Sequence, residues 1–407
     1  MRIAVANWSR RKIGGAESYL DLVIPGLARA GHEIGYLCEV DTPDERDPIT
    51  TPDAAPIWCF ADQGLRVIDR LRAWRPDLIF SHALADPALE RAIIDGRKGV
   101  FFSHNYYGSC VSGAKTRSFP RVSPCDRRFG AACLLQFYPR RCGGLNPALT
   151  WKLYLREGRH REILRRYSVI ATASEHMRRE YIRQGFDAHT VRMISSPIGG
   201  DSEVERSAAA RGPRTPYDED SVCLLFLGRM VALKGGEQLL DALPLVVAGL
   251  GRSVRLTFAG DGPARASWAR KAAALQSRSD RICVEFRGWL SGGDLATAAG
   301  EADLLVMPSL WPEPFGRSGL EVGRWGVPAV AFAVGGIPEW LIEGVNGHLA
   351  PGDPATAAGL ADAIVRALAD RSHYAQLCTG ARARVLEYDL ASHLIRLNAL
   401  FAEVLAN

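Results

Sequence analysis

Four side chains in the second half of this 407-residue chain have the types and spacing to hold a ligand that is both anionic and rich in hydroxyls. Glu313 and Glu321 are carboxylates separated by the seven residues PFGRSGL. Arg229 and Lys234 are cations separated by the four residues MVAL. Two cations held at a strand end beside a helix N-terminus can bind a diphosphate without a metal. Two carboxylates could form a general acid–base pair. Set beside those cations, they read better as acceptors for hydroxyl donors. A nucleotide sugar carries both kinds of group.

These side chains need particular elements to position them. Upstream of Glu313, ADLLVMPS is a short apolar run that predicts a buried strand. Residues 318–325 have the length of two helical turns before Gly326, and 327–334 predict another buried strand. The N–H groups of Gly316, Arg317 and Ser318 at that helix start suit an anion. Residues 222–227 predict a strand that leads into Gly228-Arg229, followed by Lys234-Gly235-Gly236 and a helix. Two further strand-and-turn units follow, VRLTFAGDGP with Gly262 and ICVEFRGWLSGG with Trp289-Leu290.

The first half repeats the alternation. RIAVAN predicts a strand, Gly14-Gly15 a tight turn or a place for close ligand approach, and residues 17–30 a helix. The strands HEIGYLCEV, DLIFSH and GVFFSH come next. His104 and Asn105 lie just past the last of these, at the carboxyl end where open α/β sheets bind ligands. No G-x-G-x-x-G accompanies the first turn, so the dinucleotide fingerprint is missing. The expected fold class is α/β, with two Rossmann-like, doubly wound parallel sheets.

With 47% apolar and 23% charged residues the composition is that of a globular protein, and no run reaches the length of a spanning helix. The opening residues MRIAVANWSRRKIGG lack an apolar leader pattern, from which a cytoplasmic protein is expected. From Lys115 to Arg192 there are seventeen Lys or Arg against six Asp or Glu. The helix expected at 151–167 carries much of this excess. It could lie peripherally on anionic lipid on the cytoplasmic face of the inner membrane, attract a diphosphate-linked acceptor, or be a solvated surface. No aromatic-interleaved basic platform supports nucleic-acid binding.

Residues 107–150 break the alternation and hold Cys110, Cys125, Cys133 and Cys142, spaced C-x14-C-x7-C-x8-C. The short pairs of common zinc sites are missing. A structural zinc, independent thiols and an oxidation-sensitive pair all stay open. Cys38, Cys59, Cys223, Cys283 and Cys378 read as core fillers. Residues 201–218 are polar and Pro-containing and predict an interdomain linker.

Glu313-PFGRSGL-Glu321 resembles the E-x7-E motif of retaining glycosyltransferases of family 4, also called group 1, which have the two-domain GT-B fold. Gly228-Arg229 with Lys234-Gly235 is similar to that family's G-R-x4-K-G donor motif, and Gly14-Gly15-Ala16-Glu17 to its acceptor-side glycine loop. The resemblance implies an acceptor domain over 1–200 carrying the 107–150 insertion. It further implies the linker at 201–218, a donor domain over 219–386, and a final segment, 387–407, packing back on the first domain. It implies a metal-independent hexosyl transfer with retention, from a UDP- or GDP-sugar to a glycan or polyprenyl-diphosphate-linked acceptor. Such reactions build lipopolysaccharide, capsule or exopolysaccharide.

In that reading Arg229 and Lys234 clamp the diphosphate, Glu313 holds sugar hydroxyls and Glu321 the ribose. His104 lies near the transferred sugar or acceptor, and the donor phosphate takes the acceptor's proton. Gly228, Gly262, Trp289, Leu290, Phe315, Gly316, Arg317 and Ser318 would line the donor, with Trp289-Leu290 beside the base. Gly14, Gly15 and Asn105 would face the acceptor. A GT-B epimerase, a phosphorylase and a non-catalytic nucleotide-sugar sensor are the alternative readings.

Overall fold

The computed structural model describes residues 1–41, 47–199, 220–290 and 292–406. The linker expected at 201–218 lies outside the described residues. The chain divides into two compact units.

The first unit is built on a seven-stranded sheet in the spatial order Ile57–Cys59, Glu33–Val40, Arg2–Ser9, Leu78–Ser81, Gly99–Ser103, Val169–Thr172, Val191–Met193. Every neighbouring pair is parallel. Leu78–Ser81 and Gly99–Ser103 are buried along their whole length, as parallel strands covered by helices on both faces must be. The order runs outward in one direction from Arg2–Ser9 and in the other from Leu78–Ser81. A crevice at the carboxyl ends of those two strands is the switch point of the sheet.

The helix Gly15–Arg29 follows the first strand and starts two residues before the expected position. The last helix, Leu390–Ala406, belongs to this unit and packs on Gly15–Arg29. Gly26 makes that approach possible, since a Cβ there would lie 2.6 Å from Cδ1 of Leu394.

The 107–150 insertion is more ordered than its composition predicts. Thr116–Arg117 pairs with Ser123–Pro124, and Ala131–Phe137 is a helix. The stretch AACLLQF has no polar face to set off an apolar one, so its periodicity does not reveal the helix. The basic helix spans Pro147–Leu164, beginning four residues before the expected start. Asn146 caps it by accepting from the Leu149 N–H at 3.2 Å, with Pro147 at the first helical position. Its later turns turn His160, Ile163 and Leu164 into the unit. Residues Thr116–Cys125 group with the second unit.

The second unit carries a six-stranded sheet ordered Ile282–Gly288, Ser253–Ala259, Ser221–Leu227, Leu304–Met307, Ala329–Phe332, Gly347–Ala350. All its pairs are parallel. Its switch point lies between Ser221–Leu227 and Leu304–Met307. The final strand falls inside NGHLAPGDP, a stretch whose glycines and prolines hide it. Cys38, Cys59 and Cys378 are buried, but Cys283 is exposed and corrects the core-filler expectation. It lies on the edge strand Ile282–Gly288, where alternate residues face outward.

Candidate active site

The second sheet brings Lys234 and Glu313 together at its switch point. Lys234 ends a short 3-10 turn, Ala232–Lys234, after the strand Ser221–Leu227. Glu313 follows the strand Leu304–Met307. Lys234 Nζ donates to Glu313 Oε1 at 2.5 Å and also lies 5.3 Å from the centre of the Trp311 ring. Glu313 is buried while Lys234 is partly exposed. One carboxylate oxygen therefore fixes the ammonium, and the ammonium keeps further donors for a ligand.

Backbone packing fixes this geometry. Gly235 has φ +70°, and a Cβ there would meet the Pro308 carbonyl oxygen at 1.7 Å. The N–H of Leu310 donates to the Leu233 carbonyl at 2.8 Å, tying the two loops together. Gly335 has φ +61° and touches the Glu313 backbone, while the Gly336 N–H donates to the Glu313 carbonyl at 2.7 Å. Only a residue without Cβ lets these chains approach so closely.

Arg229, just past the end of the strand Ser221–Leu227, is exposed and makes no ion pair among the described residues. Gly228 and Gly262 line the same strand ends. The Met230 N–H donates to the Asp261 carbonyl at 2.8 Å, and a Cβ on Gly262 would lie 2.5 Å from the Met230 carbonyl oxygen. Trp289 is exposed and Leu290 partly so, just past the edge strand. The helix after Glu313 spans Arg317–Gly323, shorter than the expected 318–325. Gly316 precedes it with φ +86°. Phe315 is buried, and its carbonyl accepts from Trp340 Nε1 at 2.8 Å. Ser318 Oγ faces Met307 Sδ. Arg317 Nε donates to Glu321 Oε1 at 3.2 Å, so Glu321 is oriented by its own helix.

The first unit holds a cluster that the sequence reading only half sees. His104 follows the strand Gly99–Ser103, and its Nε2 lies 2.8 Å from Nδ1 of His82, which follows Leu78–Ser81. Tyr19 packs against both rings and its hydroxyl lies 2.9 Å from Nε2 of His393. His393 Nδ1 faces the Ser195 carbonyl at 2.8 Å. Burial, then His104 and His393, push the His82 pKa well below its usual value. Its Nε2 is buried and lacks a hydrogen-bond partner among the described residues, as does Asn7 Oδ1 at the end of the strand Arg2–Ser9. Buried atoms left so usually meet water or a ligand.

Asn105 is exposed. Gly14 has an extended backbone that any residue adopts, and a Cβ there would lie 3.6 Å from Glu17 Oε2. The turn itself therefore does not require glycine at 14. Gly15 opens the helix. His82 was findable, because DLIFSH and GVFFSH share the ending Phe-Ser-His on adjacent parallel strands. His393 comes from the far end of the chain and carried no local signal.

The four insertion cysteines do not form a metal centre. No group of three or more His, Cys, Asp or Glu among the described residues is placed to hold a metal ion. Cys110 Sγ accepts from the Lys115 N–H at 3.4 Å, and Cys133 Sγ approaches the Arg128 carbonyl. Cys125 groups with the second unit and the other three with the first. The four-thiolate zinc is thereby corrected.

Residues 13–199 match the family description Glycosyltransferase Family 4, and residues 221–370 match Glycosyl transferases group 1. Over 408 residues the chain is 27% identical to a glycogen synthase of Mycobacterium tuberculosis, covering 95% of this chain and 90% of that one. HepE of Anabaena in complex with UDP-glucose superposes with a TM-score of 0.62 at 19% identity, covering 100% of this chain and 99% of that one. WaaG, a glycosyltransferase involved in lipopolysaccharide biosynthesis, superposes with a TM-score of 0.67 at 15% identity, covering 98% and 99%. These structural likenesses establish a GT-B fold.

Proposed function

The chain belongs to the glycosyltransferases of family 4 and group 1, has the GT-B fold and uses a nucleotide-sugar donor, and from that premise we propose a metal-independent transfer with retention. The donor is a UDP- or GDP-sugar, and the acceptor is a glycan or lipid-linked glycan of a surface polysaccharide. The observation that carries this reading is the Lys234–Glu313 pair at the switch point of the second sheet, with Arg229 exposed in the same loop as Lys234. The leaving nucleoside diphosphate gains charge as the sugar becomes oxocarbenium-like. Fixed cations at the diphosphate lower that barrier.

In this reading Arg229 and the remaining donors of Lys234 take the diphosphate. Glu313 holds Lys234 with one oxygen and accepts from a sugar hydroxyl with the other. Glu321, oriented by Arg317, accepts from the ribose, and Trp289 offers a face to the base. The donor phosphate takes the acceptor's proton on the face from which the nucleotide leaves, so neither Glu acts as nucleophile. His82, His104, Asn7 and Gly14 line the acceptor side, which the two unpartnered buried atoms support. HepE's UDP-glucose favours a UDP-sugar, and WaaG's role favours a surface glycan. The M. tuberculosis relative favours a second acceptor, a growing glucan.

The test is nucleotide release from UDP-, GDP- and ADP-glucose, with and without EDTA, offering a maltooligosaccharide or a polyprenyl-diphosphate sugar. Release from one donor that EDTA leaves unchanged, with product of the donor's anomeric form, is expected. Loss with EDTA overturns metal independence, and an inverted product overturns retention. No release from any donor by folded protein overturns the transferase reading.

A further inference from the structure

The second sheet leaves part of one face uncovered, and a cavity of about 270 Å³ lies there. Parallel register sets Cys223, Arg255 and Cys283 side by side on three neighbouring strands, and Leu225, Thr257 and Glu285 two residues further along. Register partners share a face. On the other face Leu224, Leu256 and Val284 are buried, whereas Arg255 and Cys283 are exposed. Parallel strands are ordinarily covered on both faces and read as apolar throughout. Here an arginine and two cysteines take the place of apolar residues. The helix Gly292–Glu301 packs on Ser221–Leu227 and closes one side of the cavity with Ala298, Glu301 and the following Ala302. Gly228-Arg229 and Gly262 follow the carboxyl ends of these strands, but the cavity takes residues 223–225 and 255–257 from their middles.

The polar groups here are not used up by the fold. Arg255 lines the cavity and makes no hydrogen bond or ion pair among the described residues. Thr257 is only 9% exposed, and its hydroxyl has no hydrogen bond among the described residues either. A hydroxyl buried to that degree ordinarily finds a partner. Arg287 lies between two carboxylates, with Nη1 donating to Glu301 Oε2 at 2.8 Å and Nη2 to Glu285 Oε2 at 3.3 Å. One guanidinium against two carboxylates leaves a negative charge in excess. Glu301 Oε1 accepts no hydrogen bond among the described residues. The cavity therefore offers an uncompensated cation, an excess of carboxylate charge, a hydroxyl and an apolar wall.

We infer that this cavity binds a small zwitterion with an apolar body, the chemistry of an aliphatic α-amino acid. Its carboxylate meets Arg255 and the Thr257 hydroxyl, its ammonium meets Glu301, and its body rests on Leu225, Ala298 and Ala302. The planar guanidinium matches the two oxygens of a carboxylate. A bare anion fits worse because the excess charge on Glu285 and Glu301 repels it, and a bare cation fits worse because of Arg255. The volume lies just under the about 300–1,000 Å³ of pockets for drug-sized ligands, which suits an occupant of this size.

Ligand-observed NMR titration of the full chain tests this with L-leucine, with 4-methylpentanoate, which lacks the ammonium, and with 3-methylbutylamine, which lacks the carboxylate. The expected dissociation constant for leucine is on the order of a millimolar. Each analogue should bind about fivefold more weakly, the scale of one exposed charge pair. Arg255→Gln should erase the preference for leucine over the amine, and Glu301→Gln the preference over the acid. Thr257→Val should weaken leucine about threefold. All three variants should keep the melting temperature of the unchanged chain. At about ten dissociation constants, leucine should slow alkylation of Cys223 by iodoacetamide about threefold or more, read by peptide mass spectrometry. Cys133, in the first unit, should react as before. No binding, an analogue that binds as tightly as leucine, preferences unchanged in the variants, or an unprotected Cys223 overturns the site. So does displacement of leucine by UDP, which would place it in the donor cradle.

Discussion

Lys234 and Glu313 are 79 residues apart in sequence and form a 2.5 Å ion pair across the switch point of the second sheet. Glu313 is buried and Lys234 partly exposed, so removing the lysine would leave the carboxylate buried without this partner. The pair thus has separable structural and chemical consequences.

Lys234→Ala should lower turnover by about a hundredfold, the scale of removing one preorganised donor from a developing anion. It should also cost about 1–3 kcal/mol, because Glu313 is left buried without a partner. Adding Glu313→Gln should restore much of the melting temperature and none of the rate. Recovery of the rate in the double variant would remove Lys234 from the diphosphate.

Glu321→Ala should weaken binding of the free nucleoside diphosphate by roughly tenfold, the scale of lost hydrogen bonds to a charged group. The ribose role predicts the loss in affinity measured by calorimetry, with a smaller change in turnover at saturating donor. Unchanged affinity would leave Glu321 as nothing more than the partner of Arg317.

Gly235→Ala and Gly14→Ala should part company. The first places a Cβ 1.7 Å from a carbonyl oxygen at a left-handed φ. It should cost more than about 2 kcal/mol and lower the melting temperature by about 5 °C or more. The second meets an ordinary contact in extended backbone, so stability should hold. If Gly14 admits the acceptor, Gly14→Ala raises the acceptor KM while donor hydrolysis without acceptor continues. An unchanged acceptor KM refutes that role.

Stability should fall as pH drops below about 6.5, with identifiable contributions from His160 and His176. Burial first, then nearby arginines, pushes their pKa values down to about 3 and about 4. Between those values and the unfolded pKa near 6.5 the unfolded chain binds more protons, so stability rises with pH across that window. Each histidine should contribute a slope of about 1 kcal/mol per pH unit there. His160→Gln and His176→Gln should each flatten the profile of melting temperature between pH 6.5 and 4.5. A variant whose profile stays parallel to that of the unchanged chain would show that its histidine titrates normally.

Much of the fold was legible because parallel strands buried on both faces read as continuous apolar runs. Leu78–Ser81, Gly99–Ser103, Leu304–Met307 and Ala329–Phe332 each sit within the segment their sequence predicts. Gly347–Ala350 and Ala131–Phe137 were hidden for opposite reasons. One is crowded by turn residues, and the other is an apolar helix whose outward face stays exposed. Cys283 misled because an edge strand leaves half its side chains outside.

The amino-acid sequence by itself determined the two βα alternations and the residue types at the loops after the strands. Those loops carry Gly228-Arg229, Lys234 and the Glu313–Glu321 spacing, because the chemistry of a diphosphate and of hydroxyls limits which side chains can serve. Only the tertiary structure decided which of them touch. Strand order places the loop after Ser221–Leu227 beside the loop after Leu304–Met307, and that order is a property of the assembled sheet. The same is true of His82, His104, Tyr19 and His393, gathered from four elements by parallel pairing and by the return of the last helix. Lys234 and Glu313 were each visible in the chain, but their contact was decided by the fold.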